Sequence, residues 1–231
     1  ARLAVEAAVA ALAAYGEGSR AAGAPAGAPA EPGAPNCAVG GSVAAGFMSQ
    51  PHSSARVAAI GPDLLARWRD AVADDVAAEP LDATAPERPE IAYGTTVLAA
   101  LATPDEVVLL QLGDGDVVRV TADGGSDRPL PVDPDLAGRV TTSLCQPDPL
   151  ASLRIVVLDA ADVALVWLGT DGFGVGRVDG EDWWRPVGAQ LLAHVHAAGI
   201  DDVARRLPGW ITEPADVGGD DVTVAVLARE A

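Results

Sequence analysis

The sequence predicts an α+β domain in which helices cover a largely antiparallel sheet. Three observations lead there. Two helix-period stretches open the chain, short apolar runs separated by tight turns fill its middle, and a helix followed by a strand closes it. At 231 residues, 49% of them hydrophobic, the chain suits one domain, 1–231, with a sizeable core.

Residues 2–15 read as a helix whose larger side chains Val5, Val9 and Leu12 fall at i, i+4 and i+7 among alanines, a stripe expected to lie against a sheet. From 16 to 54 the composition turns to Ala, Gly, Pro and Ser without periodicity, as expected of a disordered insert. Residues 62–78 return to helix, with Leu64, Leu65, Trp68 and Val72 as the apolar stripe and Asp70, Asp74 and Asp75 on the solvated face. A Pro-rich connection, 79–90, follows.

Strands are then expected at 91–102, 107–112, 117–121, 153–158 and 163–168. The turns are Thr103-Pro104-Asp105, Gly113-Asp114-Gly115 and Asp123-Gly124-Gly125, so neighbouring strands should run antiparallel. Residues 182–198 read as a helix with Pro186 tolerated near its start, 201–207 as a short helix, and 222–228 as a final strand.

A formal net charge of -18 and a pI near 4.3 set a repulsive field against nucleic acid and anionic membrane, and favour cations. All fifteen basic residues are arginine. Two cysteines, Cys37 and Cys145, indicate neither a disulfide framework nor a thiolate metal site, and a reducing cytoplasm is the expected compartment. No apolar run reaches the ~18 residues of a membrane helix, and no charged-then-apolar leader precedes the helix-like opening at Arg2.

Four short motifs stand at expected strand ends. They are Gly94-Thr95-Thr96, Leu112-Gly113-Asp114-Gly115-Asp116, Leu168-Gly169-Thr170-Asp171-Gly172-Phe173 and Gly219-Asp220-Asp221-Val222-Thr223-Val224. Hard divalent cations take oxygen ligands, and carboxylates converging from separate strand ends would supply them. Each motif alone also reads as an ordinary turn, since Asp-Gly is a common hairpin connection. Other candidates carry less. His194 and His196 point ~200° apart on a helix and cannot share an ion. Trp183 and Trp184 read as packing residues, and Cys145 has no sequence neighbour that would lower its pKa.

Taken in order, the four motifs resemble the protein phosphatase 2C family in its compact bacterial form. Thr141-Thr142-Ser143-Leu144-Cys145, Asp182-Trp183-Trp184 and Arg206-Leu207-Pro208-Gly209-Trp210 add to the similarity. The resemblance implies a four-layer αββα sandwich, antiparallel sheets flanked by helices. It implies a centre of two Mg²⁺ or Mn²⁺ ions, with Asp171 and Asp220 as ligands and Asp114, with Asp171, holding a weaker third ion. Asp221, Gly172 and Thr95 would stand beside the ligands. Catalysis in the family uses a metal-activated water, with no protein nucleophile, on phosphoserine and phosphothreonine of proteins. Phosphorylated proteins and a Ser/Thr kinase system are the implied partners. The family's first strands and its first Asp-Gly motif are expected ahead of Ala1, so a phosphatase-like binding module without turnover is the alternative. An acidic cation-binding domain unrelated to phosphatases is a third reading.

Overall fold

The computed structural model describes residues 2–22, 51–82, 86–136, 141–175 and 182–229. Helices α1 (Arg2–Ala22) and α2 (Pro51–Ala78) open the chain. Two strands, β1 (Val97–Ala102) and β2 (Glu106–Leu112), form a hairpin, and β5 (Arg154–Asp159) joins the far side of β2, all antiparallel. A second antiparallel sheet has the order β4-β3-β6-β7, from β3 (Asp116–Val120), β4 (Ser126–Asp127), β6 (Leu165–Gly169) and β7 (Val224–Ala228). One-turn helices α3 (Pro149–Ser152) and α4 (Gly172–Val175) precede β5 and follow β6, and the longer α5 (Trp184–Ala198) and α6 (Ile200–Gly218) lie between β6 and β7.

Three apolar layers alternate with these elements, which gives the αββα sandwich. Trp68, Leu64 and Val72 of α2 pack with alanines of α1 onto Val108, Leu110 and Leu112. Leu109 and Val107 meet Val117, Val166 and Leu168 between the sheets. Trp167, Val118 and Val120 face Trp183, Trp184, Leu191 and Leu192 on the other side. Strand β2 is therefore apolar on both faces, as an inner strand should be. Trp183 and Trp184 are packing residues, with Trp167 and Phe173 edge-on to one another at a centroid distance of 5.6 Å.

The structure corrects the sequence reading in four places. The buried face of α1 is Ala4, Ala7, Ala8, Ala11, Leu12 and Tyr15, while Val5 and Val9 are 61% and 63% exposed. Alanines allow the closest approach to α2 and β1, and Tyr15 anchors the far end by donating its hydroxyl to Glu106 at 2.8 Å. Burial, then that bond, pushes the phenol pKa up to about 12. Strand β1 begins at Val97, because Pro89–Tyr93 closes into a 3-10 turn whose proline sits at its start.

Helix α6 runs to Gly218 through Pro208 and Pro214, because Val203 and Pro214 are buried and Trp210 packs edge-on against His194 of α5 at 5.1 Å. The expected 16–54 insert is narrower, since α1 reaches Ala22 and α2 starts at Pro51; the rest of it, 23–50, lies outside the described residues. No helix among the described residues is long and apolar enough to cross a membrane.

Candidate active site at the strand ends

Antiparallel register brings five strand ends to one edge of the sandwich. Val97 pairs with Leu112, Asp116 with Gly169, and Gly169 with Val224. The four motifs thus meet in space although 125 residues of sequence separate Thr95 from Asp220.

The turn from β2 to β3 depends on glycine. Gly113 has φ +101°, and a Cβ there would lie 2.3 Å from the Thr96 methyl. A Cβ on Gly115 would lie 2.7 Å from the Gly169 carbonyl, so this turn lies directly on the end of β6. Buried side chains hold its backbone. Gly113 N–H donates to Thr142 Oγ1 at 3.0 Å, and that hydroxyl donates to Asp133 Oδ2 at 3.0 Å. Arg154 Nη2 donates to Gly113 O at 2.6 Å, and Gln111 Nε2 donates to the carbonyls of Gly113 and Gly115. Arg154 also stands 3.9 Å from Asp133, and burial draws its pKa down while the Asp133 charge partly restores it.

Thr170 ties the last two motifs together. Its N–H donates to Thr223 O at 3.0 Å, its Oγ1 accepts from Thr223 N–H at 2.9 Å, and its hydroxyl donates to Asp221 O at 3.3 Å. Gly172 is buried against this segment, for a Cβ there would lie 2.6 Å from Asp221 O and 3.2 Å from Asp220 Cβ. Asp171 and Asp220 each accept from the following backbone N–H, at 3.0 and 2.8 Å, and both are exposed, as is Asp221. Thr95 offers its carbonyl to Leu144 N–H and the Ser143 hydroxyl, while Asp114 projects from the turn into solvent.

Asp116, which the sequence reading quoted without assigning a role, is the acid of this turn that senses Asp171. Burial raises its pKa, Arg128 pulls it back through an ion pair of 2.5 Å, and the charge of Asp171 adds to the rise. Its place directly ahead of the expected 117–121 strand, in a Gly-Asp-Gly-Asp turn, was the available signal. Thr170 and the Asp133, Thr142 and Arg154 brace carried no such signal.

Carboxylates are the right donors for Mg²⁺ or Mn²⁺. Yet among the described residues no three His, Cys, Asp or Glu side chains converge enough to hold an ion, and Asp116 is engaged by Arg128. The described residues therefore do not by themselves fit the two-ion centre that the resemblance implies.

Comparison with known proteins agrees with this architecture. The family pattern described as Protein phosphatase 2C matches residues 1–212, which ends short of Asp220. No curated protein matches. Among solved structures, the catalytic domain of the serine/threonine protein phosphatase PstP, in complex with two manganese ions, is similar with a TM-score of 0.52 and 18% identity, over 98% of this chain and 80% of that one. The Mycobacterium tuberculosis serine/threonine phosphatase PstP/Ppp is similar with a TM-score of 0.50 and 19% identity, over 76% and 73%. With its pattern matched over most of its length, the chain belongs to the protein phosphatase 2C family.

Proposed function

We propose that this domain serves hydrolysis of phosphoserine and phosphothreonine in proteins, at the acidic strand ends, with Mg²⁺ or Mn²⁺ as the cofactor and a Ser/Thr kinase system as its counterpart in a cytoplasmic signalling circuit. The observation that carries this reading is the Thr170 clamp, which lays Asp220-Asp221 against Asp171-Gly172 in a chain of this family. Asp171 and Asp220 would be metal ligands, and further donors would have to join them. Phosphate release from a phosphothreonine peptide with Mn²⁺ tests it. Turnover lost in Asp171→Ala, which should retain the fold, is the expected result; turnover indifferent to that change removes the reading.

A second reading is favoured by the incomplete convergence of carboxylates among the described residues. On this reading the domain is a phosphatase-like module that binds a phosphoprotein without turnover. Saturable binding of the same peptide with no phosphate release over hours selects it.

A further inference from the structure

Asp116 and Gly169 face one another at the end of the ladder between β3 and β6. Val118 and Val120, two and four residues on, pack into the layer beneath α5, so Asp116 heads the same face of its strand. Asp171 follows Gly169 by two residues, and its charge reaches Asp116. A carboxylate only 13% exposed beside another acid calls for a cation. One is already there. Arg128, from the segment just past β4, lays its guanidinium over the Trp184 ring at 5.0 Å and meets Asp116 Oδ1 at 2.5 Å. Arg185 covers the same indole at 4.5 Å, held by Asp182 and the Ser126 carbonyl. Two guanidinium groups on one ring repel, which presses Arg128 toward the carboxylate. Elsewhere arginines pair within one helix, as Arg67 does with Asp63 and Arg205 with Asp202, whereas this pair joins two elements at the edge of the site.

We infer that Arg128 is the resident cation of the acidic edge and competes with a divalent ion for Asp116, so that an ion gains this carboxylate only as the guanidinium leaves it. The inference rests on the proposed reading of Asp171 and Asp220 as metal ligands, and it adds the residue that sets the affinity of that edge for an ion. The described carboxylates fall short of a two-ion centre in part because one of them is already neutralised. Displacement is feasible, since Arg128 is 41% exposed and has water and the Trp184 face as alternative partners. By linkage, whatever ion binding costs the pair, the pair costs ion binding.

Mn²⁺ titration of the 231-residue chain, followed by the electron paramagnetic resonance signal of the free ion, tests this. Arg128→Gln should tighten Mn²⁺ binding by roughly tenfold, within the range of coupled sites. Arg185→Gln removes the same charge from the same indole without touching Asp116, and should tighten binding far less. Introduced into Asp116→Asn, the Arg128→Gln change should have no effect. In the unsubstituted chain, Mg²⁺ should shift the Arg128 Nε–H resonance with the midpoint of ion binding, a readout that requires no variant to fold. Equal Mn²⁺ affinity in the parent and Arg128→Gln overturns the inference, whether that affinity is measurable or nil, and so does an equal gain in Arg185→Gln or an Arg128 resonance that Mg²⁺ leaves in place. Where those equal affinities are also lost in Asp171→Asn, the inference fails while the metal-ligand reading survives. None of these readouts depends on phosphate release.

Discussion

Thr170 and Thr223, 53 residues apart, exchange two hydrogen bonds, and the second of them uses the Thr170 side chain where a ladder would use backbone. The pairing of β6 with β7 is thus carried one step beyond Gly169 and Val224, up to the two acidic motifs. Thr170→Val should remove the acceptor for Thr223 N–H and the donor to Asp221 O, at about 1 kcal/mol for these partly exposed bonds. Thr170→Ser should restore the parent melting temperature. A Thr170→Val protein that melts like its parent would show that the clamp contributes nothing.

Gly113→Ala should be among the most damaging single changes at the site. A left-handed φ costs a Cβ-bearing residue about 1–2 kcal/mol, and the new methyl would meet Thr96 at 2.3 Å. Urea denaturation should record a loss of about 3 kcal/mol, whereas Gly124→Ala, also at positive φ but with open space around it, should lose only the conformational part.

The brace beneath the same turn gives a graded series. Thr142→Val leaves the buried Gly113 N–H without an acceptor and should cost about 1–3 kcal/mol, with Thr142→Ser close to the parent. Asp133→Ala should cost about 3 kcal/mol, because the Arg154 guanidinium, 11% exposed, loses its counter-charge. Chemical denaturation that ranks Thr142→Val above Asp133→Ala would contradict this account.

Acid should reveal Asp202. A hydrogen bond with His194, then those from Arg206 and Arg205, holds its carboxyl well below the usual carboxylate range. A folded-state pKa below the unfolded value of about 3.9 gives a contribution that is present above that pH and is lost as pH falls below it. Asp202→Asn should therefore lower the melting temperature at pH 7, with the difference closing as pH falls below about 4. High salt should shrink the effect, since the arginines are exposed. A gap that persists unchanged at pH 2 would mean that packing, and not charge, links α5 to α6.

Much of the fold was legible from local pattern. Strand β2 is a bounded apolar run and the α2 stripe of Leu64, Leu65, Trp68 and Val72 is buried as its spacing requires. The order of the glycine and aspartate motifs at the strand ends carried the resemblance to the family, and the four-layer sandwich came only as what that resemblance implies. The face of α1 was misread because side-chain size was taken as the guide, and here close approach by alanine decides the contact. The continuation of α6 was misread because proline's intrinsic cost is local, while the burial of Val203 and Pro214 that offsets it is not.

By itself, then, the sequence determined where backbone periods change and which residues offer carboxylates, because both depend on neighbours within a few positions. Only the tertiary structure decided that Asp116 lies where Asp171 raises its pKa, that Thr142 caps Gly113 across 29 residues, and that Arg154 reaches the same glycine across 41. Those relationships arise from chain register and buried polar pairing, and a buried N–H or carboxylate takes whichever partner the packed fold brings within 3 Å, however far away it lies in sequence.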